Sequence, residues 1–243
     1  MTLDDLKNIE DPAERLTMAN EMKQELEDAY HMCAKKEDIF FDETKRMIED
    51  TLPPILKEAT ERLDKITEQT EDNIGKVKDM VSDTCKIFQE TIELLQDDFL
   101  KKIKDIYSPL IDANTEMKVN RIQLDTPKSQ NRESANHKEP PSEENILDIF
   151  ADDMADILHM RKALLSSLQK IFVQLQLQRE NTTQGPENLA TIKQEAFTAI
   201  EDFYSQASNG LRQYTLKLSA TYGTAALSSL SARREEINAI SQK

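Results

Sequence analysis

Apolar side chains recur every three or four positions along this chain, with polar and charged residues between them, almost from end to end. That spacing marks one face of an α-helix, so the chain is expected to be all-α, an elongated antiparallel helical bundle of the four-helix type. Asp11-Pro12-Ala13-Glu14 reads as a helix start. Asp11 can accept from orphan amides, Pro12 suits the first helical position and Glu14 places negative charge in the first turn. The stripe that follows is Leu16, Met22, Leu26, Ala29, Cys33, Phe40, Met47 and Ile48, with a polar weakness at Lys35-Lys36-Glu37-Asp38 that leaves room for a bend or loop.

Leu52-Pro53-Pro54 interrupts the pattern. Each proline removes a backbone donor and pushes the preceding residue away from helical dihedrals, so a kink or turn is expected at 53–54. From Ile55 the register resumes through Leu63, Ile66, Ile74, Val77, Val81, Phe88, Ile92, Leu95, Phe99, Ile103 and Ile106. This predicts one helix of about 50 residues, roughly 75 Å at ~1.5 Å per residue. The first region, 1–112, is therefore read as long N-terminal helices with a proline break.

Residues 113–142 hold Pro127, Pro140 and Pro141 among Ser, Asn, Gln, Lys and Glu, with no sustained apolar period, and are read as a flexible linker. Ser142-Glu143-Glu144 then supplies a cap and first-turn acids for a helix with the stripe Ile146, Phe150, Met154, Ile157, Leu164, Leu168, Ile171 and Leu175. The third region, 143–243, is expected to be a helical hairpin with its tip at 179–188, where Gly185-Pro186 breaks the helix. Leu189, Ile192, Ala196, Ile200, Phe203, Ala207, Gly210, Tyr214 and Leu218 carry the return helix. Beyond Tyr222-Gly223-Thr224, where glycine can act as a cap, Ala226, Leu230, Arg233, Ile237 and Ile240 give a short last helix or a continuation of the same one.

Composition sharpens this picture. With 38% hydrophobic and 5% aromatic residues and no tryptophan, a single thick core is poorly supplied, and helices that bury a stripe against partners fit better. The net charge of -15 argues against nucleic acid and anionic lipid as partners. Up to Ile111, 16 Lys and Arg face 28 Asp and Glu, so the acidic excess lies mainly in the first half. No apolar run approaches the ~20 residues that span a bilayer, which points to a cytoplasmic or nuclear chain with reduced cysteines at Cys33 and Cys85.

Catalytic turns and nucleotide cradles usually need glycine, of which there are four, or clustered histidines. His31, His137 and His159 are scattered, without a metal-ligand spacing. Asp156-Ile157-Leu158-His159 is one acid-x-x-His unit where a di-iron bundle needs two with glutamate. Asp152, Asp153 and Asp156 read as a solvated acidic face. No enzyme activity, metal or cofactor is expected. Function should come from surfaces.

Two stretches resemble the 11S-type proteasome activators, the REG family, whose subunits are four-helix bundles. One is Phe40-Phe41-Asp42-Glu43-Thr44 leading to Thr51-Leu52-Pro53-Pro54-Ile55-Leu56-Lys57-Glu58-Ala59. The other is Phe172-Val173-Gln174-Leu175-Gln176-Leu177-Gln178-Arg179, with Gly185-Pro186-Glu187-Asn188-Leu189-Ala190-Thr191-Ile192-Lys193-Gln194-Glu195, which is similar to the family's helix end, activation loop and next helix start. The resemblance implies a heptameric ring that caps the 20S proteasome without ATP and opens its gate to peptides. Thr182, Thr183, Gln184, Gly185, Pro186, Glu187 and Asn188 would then touch the proteasome's α-subunits, with Ser241, Gln242 and Lys243 as C-terminal anchors. Repetition around the ring would turn weak contacts into avidity. The chain departs from the family after Asn188, where 55 residues are too few to rise and return to the same face.

The alternative is a coiled-coil scaffold or tethering subunit of a hetero-complex, whose stripes zip onto partner helices. A third reading, an acidic histone-binding chaperone, rests on charge alone.

Overall fold

The computed structural model describes residues 3–111, 155–164, 166 and 188–242, and every regular element among them is a helix. The all-α expectation holds. In chain order the helices are α1 (Leu3–Lys7), α2 (Pro12–Asp64), α3 (Glu71–Tyr107), a helical stretch at 155–164, and α4 (Leu189–Ser241). The linker 113–142 and most of the hairpin's first arm and tip lie outside the described residues.

α2 starts where its capping chemistry puts it. The Ala13 amide donates to Asp11 Oδ1 at 3.0 Å, and the Arg15 amide donates to the Asp11 carbonyl at 2.9 Å. The Arg15 guanidinium closes the preceding turn by donating to the Ile9 carbonyl through Nε at 3.0 Å.

Two expected breaks are absent. α2 continues through Lys35–Asp38 and then through Pro53 and Pro54, which lie inside the helix. A proline in a helix interior costs about 3 kcal/mol or more. Here Ile48, Leu52, Ala59 and Leu63, each 3% exposed or less, hold the helix on both sides of the pair, while Pro54 faces solvent. Packing offsets the lost donors. The break falls instead at residues 65–70, so the single helix expected from Ile55 to Ile106 is two. Thr70 restarts the chain: its Oγ1 accepts from the Asn73 amide at 3.2 Å, its carbonyl accepts from the Ile74 amide at 3.0 Å, and Asn73 Nδ2 donates to the Glu68 carbonyl at 2.8 Å. Residues 67–73 contain no apolar side chain, so nothing there could bury a helical face.

α4 passes Gly223 without a cap, which settles the choice left open at that glycine in favour of one continuous helix. Ala225, Ala226 and Leu230 stay buried beyond it, so packing continues on the same side.

The chain divides into two compact units. The first comprises 1–40, 102–157 and 218–243, and the second 41–101 and 158–217. In the first, Leu6 of α1, Ala19 of α2 and Ile237 of α4 form a fully enclosed cluster, with Leu3, Ile9, Met18, Met22, Leu26 and Ile240 packed against it. Leu16, expected on the buried stripe, is 52% exposed. In the second, Phe88 of α3 meets Phe203 and Tyr204 of α4 at ring-centroid distances of 5.7 and 6.3 Å. Ile92, Leu95 and Phe99 extend that core along α3.

Candidate protein-interaction site

Of the loop residues picked out by sequence, Thr182, Thr183, Gln184, Gly185, Pro186 and Glu187 lie outside the described residues, as does Lys243. Asn188 is the N-cap of α4. Its Oδ1 accepts from the Ala190 amide at 2.9 Å and its carbonyl accepts from the Ile192 amide at 3.1 Å. Ser241 turns its hydroxyl back onto the Asn238 carbonyl at 3.0 Å, and Gln242 is exposed. Asn188 belongs to the second unit and Ser241 and Gln242 to the first, so the two groups are not gathered into one unit.

Asn188 borders an open cleft of about 500 Å³ in the second unit. Its walls come from the end of α2, the 65–70 connection and the first turns of α4, with Leu63, Ile66, Leu189 and Phe197 as its apolar lining. Lys193 spans this corner and donates from Nζ to the Ile66 carbonyl at 3.1 Å, which satisfies a backbone acceptor left free where α2 ends. The cleft presents no charge cluster, and its lysine is already engaged in holding the turn.

Polar groups inside the first unit serve register. Glu37 reaches inward from α2, accepting from Tyr107 Oη at 2.7 Å on one carboxylate oxygen and from the Ser219 hydroxyl on the other. One side chain thereby ties α2, α3 and α4. Burial first, then the hydrogen bond and charge of Glu37, drive the Tyr107 pKa well above the usual tyrosine range. Cys33 donates to the Ile106 carbonyl at 3.1 Å, and burial raises its pKa against the lowering pull of Lys36. Arg234 pairs with Glu27 in the same unit. Within the apparent flaw at 35–38, Glu37 is thus a polar junction, while Lys35, Lys36 and Asp38 stay exposed.

The match is incomplete at the buried Thr221 hydroxyl of the first unit and more so in the second. Gln96 is fully buried, and neither end of its amide finds a hydrogen-bond partner among the described residues. The Tyr214 hydroxyl is likewise without one, and burial pushes its pKa up to about 12, Arg161 pulling it down and Asp97 up. Arg161 meets Asp97 at 2.5 Å. Cys85 is a buried thiol raised to about 11 by desolvation alone, the opposite of an activated nucleophile. His31 and His159 are exposed, and His137 lies outside the described residues. Among the described residues no three His, Cys, Asp or Glu side chains converge on a point that could hold a metal, and no helix is long and apolar enough to cross a membrane.

Large apolar side chains left outside the bundle are a different matter. On α3, Ile87 is 44% and Leu94 71% exposed, while on α2 Met32 is 60% and Ile39 57% exposed. Each pair is seven residues apart, nearly two helical turns, so each lies on one side of its helix. None of the four belongs to the stripes predicted from sequence. The available signal was apolar residues repeating at a heptad spacing beside the buried stripe rather than within it. Against known families, characterised proteins and solved structures, the chain has no match.

Proposed function

We propose that this chain is a helical scaffold or tethering subunit that works by docking other protein chains along its helix faces. One observation carries the reading: α2 and α3 bury one stripe inside the molecule and still hold a second heptad-spaced apolar pair in solvent. A large apolar group in water loses the stabilisation that burial brings, about 25 cal/mol for each Å² covered. Recurrence at helical spacing is how one helix offers a seam to another. The acidic surface supports the same reading by disfavouring nucleic acid and anionic membranes.

The ring-forming proteasome activator is the more specific form of this idea and rests on the resemblance around residues 172–195. It needs the contacts at 182–188 and 241–243 to act together, of which Asn188, Ser241 and Gln242 are among the described residues. The scaffold form has no such requirement.

Cross-linking with a lysine-reactive reagent in the native cells tests the proposal. Lys35 and Lys36 lie between Met32 and Ile39, and Lys86 lies beside Ile87. These lysines should give repeated links to one other polypeptide; links confined to this chain would refute the scaffold. Faster hydrolysis of short fluorogenic peptides by 20S proteasomes on adding the purified chain would favour the activator instead.

A further inference from the structure

We infer that the outer face of α3 around Ile87 and Leu94 receives a basic amphipathic helix of another protein. This rests on the scaffold reading and adds to it a place and a partner chemistry. Leu94 is the most exposed large apolar side chain among the described residues at 71%, and Ile87 lies seven positions before it. Val81, Phe88, Ile92, Leu95 and Phe99 meet the core of the second unit, so α3 carries two apolar seams, one of them outward.

Charge selects the partner. Along the outward seam stand Asp83 and Glu90, both exposed. The nearest cation on the same helix, Lys86, reaches Glu90 at 4.0 Å with both side chains mostly in solvent, and Lys101 lies a further two turns along. Such a loose pair leaves the local field negative. A helix with two large apolar residues seven apart, flanked by Lys or Arg, would cover Ile87 and Leu94 and meet these carboxylates. A second copy of this chain, at net charge -15, would be repelled. The exposed pair on α2 is flanked by both signs, with Asp28, Asp42 and Glu43 beside Lys35 and Lys36, so it selects a partner charge less sharply.

Fluorescence anisotropy with two designed 21-residue helical peptides tests this on the full chain. Both peptides carry leucine at heptad positions; one is flanked by lysine and the other by glutamate. The lysine peptide should bind, the glutamate peptide should not, and the double variant Ile87→Ala with Leu94→Ala should weaken binding by about tenfold or more, a ~1.4 kcal/mol effect. Glu90→Lys, which keeps the apolar pair, should weaken it too, and added salt should raise Kd. Because all three positions are exposed, each variant should melt with the wild type. The inference is overturned by absent binding, by equal binding of both peptides, by an unchanged Kd in the alanine double variant, or by light scattering that shows self-association abolished in it. Cellular cross-links to one partner that survive in the double variant would refute this face while leaving the scaffold standing. Their absence from the wild type would refute the scaffold itself.

Discussion

The two units are made from the same helices yet handle polar groups differently. In the first, Glu37 is placed so that Tyr107 and Ser219 both donate to it, and a buried hydroxyl is matched by a charged acceptor. In the second, aromatic and aliphatic packing dominates, while Gln96 and Tyr214 have polar atoms without partners among the described residues, against the single Thr221 hydroxyl in the first. The first leans more on a charged polar junction and the second more on shape. A helical bundle can use either, because helices satisfy their own backbones and leave side chains to decide alignment.

The largest way to break that contrast is to remove shape where shape rules. Phe88→Ala should cost about 3–5 kcal/mol in urea unfolding, since a fully buried ring against Phe203 and Tyr204 is replaced by a cavity. A loss under about 1 kcal/mol would mean that the second unit is not packed around this ring.

The same tyrosine substitution should then have opposite signs in the two units. Tyr107→Phe takes a donor from a charged acceptor and should cost about 1.5–3 kcal/mol, whereas Tyr214→Phe deletes an unmatched hydroxyl and should be neutral or stabilising. Equal losses, read from thermal melts at neutral pH, would erase the distinction.

Alkaline titration sharpens it. Both phenols hold their protons more tightly when folded, so their contribution is complete below the ordinary tyrosine value near ~10 and is lost as pH rises through the folded values. For Tyr214 the window runs from about 10 to about 12. Wild-type stability should fall across it, and Tyr214→Phe should flatten the fall. An unchanged slope would show that this phenol does not titrate on unfolding.

The smallest effect compares two glycines of α4. A Cβ at Gly223 in the first unit would lie 3.4 Å from the Tyr107 hydroxyl, an ordinary contact, so Gly223→Ala should gain about 0.5–1 kcal/mol of helix propensity. At Gly210 in the second, a Cβ would collide with the Leu164 Cδ1 methyl. Gly210→Ala should therefore lose that gain, or cost about 1 kcal/mol, and recover it when combined with Leu164→Ala. Additive effects in the four-way comparison would contradict the contact.

How far the sequence foretold all this depended on whether local or distant groups decided. Periodicity gave the helices, and Asp11-Pro12 gave the start of α2, because those signals act within one turn. The proline break was misplaced because the local penalty at Pro53 and Pro54 was set against the tertiary burial of Ile48, Leu52, Ala59 and Leu63. Glu37 looked like a flaw in a stripe because Tyr107 and Ser219 lie 70 and 182 positions away. Of the candidate contacts, Asn188 fits its residue type as a cap, Ser241 uses its hydroxyl internally, and the remaining tip residues lie outside the described part of the chain. Ile87 and Leu94 escaped notice because exposure depends on what the rest of the chain fails to cover.

Light scattering with mass spectrometry of the full chain, purified gently from its native cells, tests most directly whether it works by docking other proteins. The account predicts an assembly heavier than one chain that contains a second, different polypeptide in fixed ratio. A lone chain without a companion would contradict it, and a particle of seven identical copies would replace the scaffold with the ring.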